Sequence, residues 1–203
     1  ALALLSEMIY RLEDPIKNFS PDCIVVYGDT NSTLAGALSG SKLNIPVAHV
    51  ESGLRSRDST MPEEINRVIT DHISSYLFTP SRDATENLLA ENIVADKIYF
   101  VGNIMIDTLV SSMGQIDKSQ ILQTLKLRQS NTSEVKPYNV LTLHRPSNVD
   151  DPESLTKLID SVINISSKHP TIFPAHPRSR DEIETIINKL KTDKIICTEP
   201  LGY

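Results

Sequence analysis

Short apolar runs alternate with amphipathic stretches along most of the chain, and the alternation predicts its layout. Residues 2–13 carry a helical pattern that Pro15 is expected to end. Asp22 to Tyr27 (DCIVVY) is a short apolar run, the mark of a strand buried in a parallel sheet. A helix rich in small residues follows over 31–42, then a strand at Pro46 to Val50 (PVAHV). Residues 62–75 form an amphipathic helix with Ile65, Val68, Ile69, His72 and Ile73 on one face, expected to lie against the core. A strand at 76–79, a helix at 82–91, a strand at 98–101 and a helix at 104–113 complete this block.

Residues 114–137 break the pattern. They are polar and hold one helical stretch, 119–127, which reads as a connection between two domains. The alternation then resumes with strands at 139–143, 171–175 and 194–198 and helices at 152–167 and 179–191. Alternating strands and helices mean an α/β fold with parallel sheets. Two such blocks, 1–113 and 138–203, imply two Rossmann-like domains facing each other. Ligands of such folds bind beyond the carboxyl ends of the strands.

Those ends carry the polar residues of interest. Asp29 follows the first strand and also has a plain alternative role as a helix cap. Glu51 follows the second, with no helix directly after it to cap; its alternative is a salt bridge to Arg55 or Arg57. Glu63 opens the 62–75 helix behind Pro62. There Thr60 and Glu63 have capping-box spacing, and Glu63 and Arg67 stand at i, i+4. In the second block His144-Arg145 follows the strand at 139–143, and His176-Pro177-Arg178 follows the next. His49, His72 and His169 sit inside a strand, on an apolar helix face and in a polar turn, so they read as structural or solvated. Carboxylates can move protons, and histidines beside arginines can hold an anion.

Composition narrows the function classes. The 203 residues are 39% hydrophobic and 23% charged, enough for a packed core and against disorder. The formal net charge of −6 argues against a nucleic-acid surface, though helix N-termini still suit a phosphorylated small molecule. No apolar run reaches the roughly 18 residues of a membrane span, and the start of the chain lacks a signal peptide. Cys23 and Cys197 lie in apolar strand-like runs, read as buried reduced thiols of a cytosolic protein. No set of His, Cys and Asp has metal-ligand spacing. The G-x-G-x-x-G, P-loop and G-x-S-x-G patterns are all missing, which removes support for dinucleotide, ATP and serine-hydrolase readings.

The segments VYGDTNSTLAGALSGSKLNIPVAHVESGLRS, MPEEINRVITDHISSYLFTPS, VGNIMIDTL, LTLHRPSNVD and PAHPRSR, in that order, resemble the UDP-N-acetylglucosamine 2-epimerases of the non-hydrolysing kind. The resemblance implies a two-domain fold of the glycosyltransferase-B type. It implies interconversion of UDP-N-acetylglucosamine and UDP-N-acetylmannosamine without a cofactor or metal, through elimination of UDP to 2-acetamidoglucal and re-addition. It carries the family's catalytic acids onto Asp29, Glu51 and Glu63 and its histidine onto His144. Substrate binding falls on Asp29, Glu51, Arg67, His144, Arg145 and His176. A homodimer is expected, with no membrane or nucleic-acid partner. Alternatives are a hydrolysing epimerase releasing N-acetylmannosamine and UDP, a non-catalytic nucleotide-sugar-binding homologue, and a glycosyltransferase of similar fold. The family's first phosphate-binding loop and its late Ser-Gly-Gly-x-x-Glu loop are not in the sequence. The chain is therefore expected to be an internal piece, a little over half of the enzyme, and to be inactive and poorly stable alone.

Overall fold

The computed structural model describes residues 2–128, 134–143 and 151–201, apart from the side chains of residues 178 and 179. The chain divides into two compact units, residues 1–111 and 112–203.

The first unit is a parallel sheet with helices between its strands. Helix α1 (Leu2–Phe19) leads to β1 (Ile24–Tyr27), α2 (Asn31–Lys42), β2 (Val47–Val50), α3 (Pro62–Ile73), β3 (Tyr76–Thr79), α4 (Arg82–Ala90), β4 (Ile98–Phe100) and α5 (Ile104–Ile116). The sheet order is β1-β2-β3-β4, parallel throughout. Sequential order brings the turns after β1 and β2 side by side, since Tyr27 pairs with Val50 at the carboxyl ends of both strands. The small residues of α2 permit its close approach to the sheet. A Cβ on Gly40 would lie 2.8 Å from Val47 Cγ2, and one on Gly36 3.0 Å from Val26 Cγ1. Val26, Ala37 and Val47 form the buried cluster there, with Ile24 and Ile73 against it.

The second unit holds α6 (Ile121–Thr124), β5 (Asn139–Val140), α7 (Pro152–Ile165), β6 (Thr171–Pro174), α8 (Pro177–Lys189) and β7 (Ile195–Thr198). Its sheet is parallel in the order β5-β6-β7. Leu155, Ile159, Phe173, Ile183, Ile187 and Ile195 make its core, each contributing roughly 1.5–3 kcal/mol by leaving water. Helix α7 begins as its sequence dictates: Asp151 caps it by accepting from Ser154 N at 3.0 Å, and Pro152 fills the first turn, where no backbone donor is needed.

Several expectations need correction. Pro15 does not end the first helix; α1 runs through it to Phe19. No residue of α1 is buried, so the carbonyl that Pro15 leaves without a donor can bond to water, and the break is not forced. The strand expected over 139–143 shrinks to two residues, although Leu141 N still donates to Ile172 O at 2.9 Å. Cys23 is exposed just before β1, and Cys197 in β7 is half-buried, its thiol pKa raised by burial. The largest reversal is in α3. Its buried residues are Glu64, Asn66, Thr70 and Asp71, whereas Ile65 and Ile69 are 47% and 38% exposed. Periodicity locates two faces of a helix and does not say which one is covered. Here the polar face is covered, because it meets the turns after β1 and β2.

Candidate active site

The turn after β1 begins at Gly28 with φ +65°, and the turn after β2 begins at Glu51 with φ +73°. Left-handed backbone suits glycine and strains glutamate, so Glu51 is held there by its surroundings. Glu51 N and Ser52 N both donate to Phe78 O at 3.1 Å, pinning the turn onto β3. The carboxylate stands over the neighbouring turn: a Cβ on Gly28 would lie 3.7 Å from Glu51 Oε2. The side chain is exposed, and neither Arg55 nor Arg57 pairs with it among the described residues. The salt-bridge alternative for Glu51 therefore falls away.

Asp29 is half-buried and paired with Arg67 of α3. The next residue of α2's lead-in, Thr30, occupies the cap position, so Asp29 is not the helix cap. Asn66 Nδ2 donates to Asp29 O at 2.9 Å and to Asn31 Oδ1 at 3.2 Å. Arg67 Nη1 reaches Glu64 Oε2 at 2.5 Å. Burial opposes the charge on Arg67, but hydrogen bonds to Asp29 and Glu64 outweigh it and raise the pKa above its ordinary value.

Glu64 is one of two buried carboxylates of α3, with Asp71. Burial disfavours its charge, but the backbone N–H groups of Ser56 and Arg57, each at 2.9 Å, and the Arg67 guanidinium overcome that and pull its pKa down to about 2. A depressed carboxylate pKa contributes stability above the unfolded value of 4.5 that is lost as pH falls toward 2. Glu64→Gln is expected to flatten that acid limb. Thermal melts of wild type and variant from pH 6 to 2.5 should converge as the pH falls, and parallel curves would contradict the assignment.

Other expected contacts are not formed. Helix α3 has Met61 at its cap position without a side-chain cap, and Thr60 bonds Asp58 instead, so the Thr60–Glu63 capping box does not form. Arg67 pairs with Glu64 and Asp29 rather than with Glu63. Glu63 is exposed on the first turn of α3, beside buried Glu64.

Beneath the two turns lies a second network. Arg55 grips Glu91 with two bonds of 2.6 Å and donates to Asp71 Oδ2 at 2.7 Å. Burial works against the Arg55 charge, but these two carboxylates hold its pKa above the ordinary value. Asp71 also accepts from Gly53 N at 3.1 Å. His49, fully buried, joins Asp71 to the Gly28 carbonyl. His72 and His169 are exposed, in line with the solvated reading.

In the second unit His176 is exposed at the carboxyl end of β6. With Thr142, Leu143, Pro174, Pro200 and Leu201 it lines a depression of about 230 Å³. His144 and Arg145 lie outside the described residues. The structure thus sets the turns of Asp29 and Glu51 side by side, pairs Asp29 with Arg67 and exposes Glu63 on the first turn of α3. It adds Glu64, Asn66 and Asp71, which the sequence did not single out, and ties in Arg55 and His49, which it read as structural. Glu64, Arg67 and Asp71 share helical spacing, a polar stripe opposite the apolar one, and that stripe was the available signal.

Parallel sheets with carboxylates clustered at their strand-end turns define the class: an α/β protein with a polar site beyond the carboxyl ends of its strands. The family model described as UDP-N-acetylglucosamine 2-epimerase matches residues 2–203, and the chain belongs to that family. It is 43% identical over 201 residues to the UDP-N-acetylglucosamine 2-epimerase of Methanococcus maripaludis, covering 97% of this chain and 54% of that protein. It is 40% identical to the UDP-2,3-diacetamido-2,3-dideoxy-D-glucuronate 2-epimerase of Pseudomonas aeruginosa, covering 98% of this chain and 54% of the relative. The crystal structure of the Methanocaldococcus jannaschii UDP-GlcNAc 2-epimerase in complex with UDP-GlcNAc and UDP superposes with a TM-score of 0.83 at 42% identity, over 98% of this chain and 55% of that one. The chain spans about half the length of the relatives it matches.

Proposed function

We propose that the full-length protein carrying this chain interconverts UDP-N-acetylglucosamine and UDP-N-acetylmannosamine. The observation that carries the reading is the placement of Asp29 and Glu51 on adjacent strand-end turns, with Arg67 fixing Asp29, in a chain of this family.

The chemistry suits these groups. The proton on C2 is weakly acidic, so cleavage of the C1–O bond leads and builds positive charge on the sugar. The bonding pair leaves with the UDP oxygen. A base removes the C2 proton, and a C1–C2 double bond forms, giving 2-acetamidoglucal. An acid on the opposite face then protonates C2 while the UDP oxygen re-forms the bond to C1. One group gains a proton and the other loses one, so solvent exchange must reset both. Glu51 and Glu63 are the proposed acid and base on the two faces. Asp29 stabilises the positive charge or orients the sugar. His144, with Arg145 and His176, is the proposed holder of the diphosphate.

In this reading residues 1–113 belong to the N-terminal domain, 114–137 connect, and 138–203 open the UDP-binding domain. The protein works without cofactor as a cytoplasmic homodimer supplying polysaccharide synthesis. No described helix is long and apolar enough to cross a membrane.

One observation favours a second substrate: the Pseudomonas relative acts at C2 of a sugar that also bears a C3 acetamide and a C6 carboxylate. The test supplies the purified full-length protein with each UDP-sugar and analyses products by NMR. UDP-N-acetylmannosamine from UDP-N-acetylglucosamine is the expected result. Free N-acetylmannosamine with UDP would establish the hydrolysing reaction instead. A kcat/KM favouring the diacetamido-glucuronate would move the assignment to that substrate.

A further inference from the structure

The buried histidine beneath the site bridges its two turns. His49 is 0% exposed. Its Nε2 lies 2.8 Å from the Gly28 carbonyl oxygen, which can only accept. Its Nδ1 lies 2.7 Å from Asp71 Oδ1. The other oxygen of Asp71 accepts from Gly53 N and from Arg55 Nη1. Each ring nitrogen therefore has an oxygen within hydrogen-bond distance. The Arg55 guanidinium lies against both Asp71 and Glu91, so its buried charge is compensated.

His49 and Asp71 together touch both catalytic turns. Gly28 immediately precedes Asp29, and Gly53 follows Glu51 by two residues. We infer that His49 and Asp71 are positioning residues for the epimerisation proposed above, a reading on which this inference rests. The imidazole holds the turn of Asp29 through the Gly28 carbonyl. The Asp71 carboxylate holds the turn of Glu51 through Gly53 N. Neither side chain reaches solvent, so neither meets substrate. Their effect is on the spacing of the two carboxylates, and acid/base transfer is sensitive to displacements of about 1 Å, worth up to ~100-fold in rate.

Two measurements on the full-length protein test this. Wild type must epimerise first; failure there overturns the proposed function, and the first measurement stands apart from that outcome. Histidine-selective ¹⁵N spectra of wild type should show a bonded, protected proton on Nε2 of His49. A bare Nε2 overturns the inference whatever the enzyme does. The second measurement compares His49→Gln, whose amide nitrogen can still reach the Gly28 carbonyl, with His49→Asn, whose amide stops near Asp71. His49→Asn should lower kcat by about 30-fold or more while KM moves by less than about 3-fold, and His49→Gln should recover to within about 5-fold of wild type. Equal losses in both variants would mean simple space-filling and overturn the positioning role, as would wild-type kcat in both.

Discussion

Glu51→Gln in the full-length protein is expected to stop epimerisation, lowering kcat by about 10³-fold, within the range of ~10²–10⁴ for loss of a general acid or base. The substitution keeps the side chain's shape and removes only its ability to exchange a proton. Its surroundings make the comparison clean. The carboxylate is exposed and has no ion-pair partner among the described residues, so no buried contact is broken. The left-handed backbone of residue 51 and the bonds from Glu51 N and Ser52 N to Phe78 O do not depend on the side-chain terminus. The melting temperature should therefore stay at the wild-type value while turnover and entry of solvent deuterium at C2 both fall. Proton NMR of the sugar in D₂O, run beside steady-state assays, reads both. Exchange and turnover at wild-type rates would remove Glu51 from the mechanism.

Gly53→Ala is expected to be the most damaging single methyl group in the first unit. Gly53 has φ +80°, and a Cβ there would lie 2.3 Å from Ala84 O and 2.8 Å from Ala84 C. These are backbone atoms of α4, so no side-chain rotation relieves the clash. The left-handed conformation costs an alanine about 1 kcal/mol and overpacking a further 1–3 kcal/mol. The turn also has fixed partners: Gly53 N donates to Asp71, and Gly53 O accepts from Asn87 Nδ2 at 3.0 Å. Displacing it moves Glu51, two residues away. Gly53→Ala should lower the unfolding free energy by roughly 2–4 kcal/mol and cost activity as well. Gly102→Ala is the control. Its φ is +83°, but nothing lies within 4 Å of the added Cβ, so only the backbone cost of about 1 kcal/mol applies. Urea denaturation of the two variants distinguishes the contributions, and equal destabilisation would show that the clash with α4 is not felt.

The strand–helix alternation was legible because the strands of a parallel sheet read as short apolar runs, even where, as in β1, Val25 and Tyr27 are exposed. DCIVVY and PVAHV each contain the strand that forms, β1 and β2. Their adjacency then follows from sequential sheet order, which puts Asp29 beside Glu51. The network under the site was not legible, for a physical reason. Apolar periodicity is read on the assumption that the oily face goes inward, and α3 turns its Glu64–Arg67–Asp71 stripe inward instead, to reach Asp29, Ser56 and Gly53. His49 in an apolar strand looks like a core residue, and it is one. What its position in the strand did not reveal is that both its nitrogens have oxygen partners, since one of them belongs to a helix 22 residues further on. Local capping arguments failed similarly: Asp29 and Glu63 both had helix-end explanations, and neither caps.

The central claim is that UDP leaves and returns while C2 inverts. UDP-N-acetylglucosamine labelled with ¹⁸O in the bridge between C1 and the β-phosphorus, incubated with the full-length protein, tests it in one mass-sensitive ³¹P spectrum. Elimination frees the β-phosphate oxygens to exchange places, so label should appear in non-bridging positions at a rate matching epimerisation. Label that stays in the bridge while UDP-N-acetylmannosamine accumulates, with no 2-acetamidoglucal or UDP released on prolonged incubation, would contradict the account.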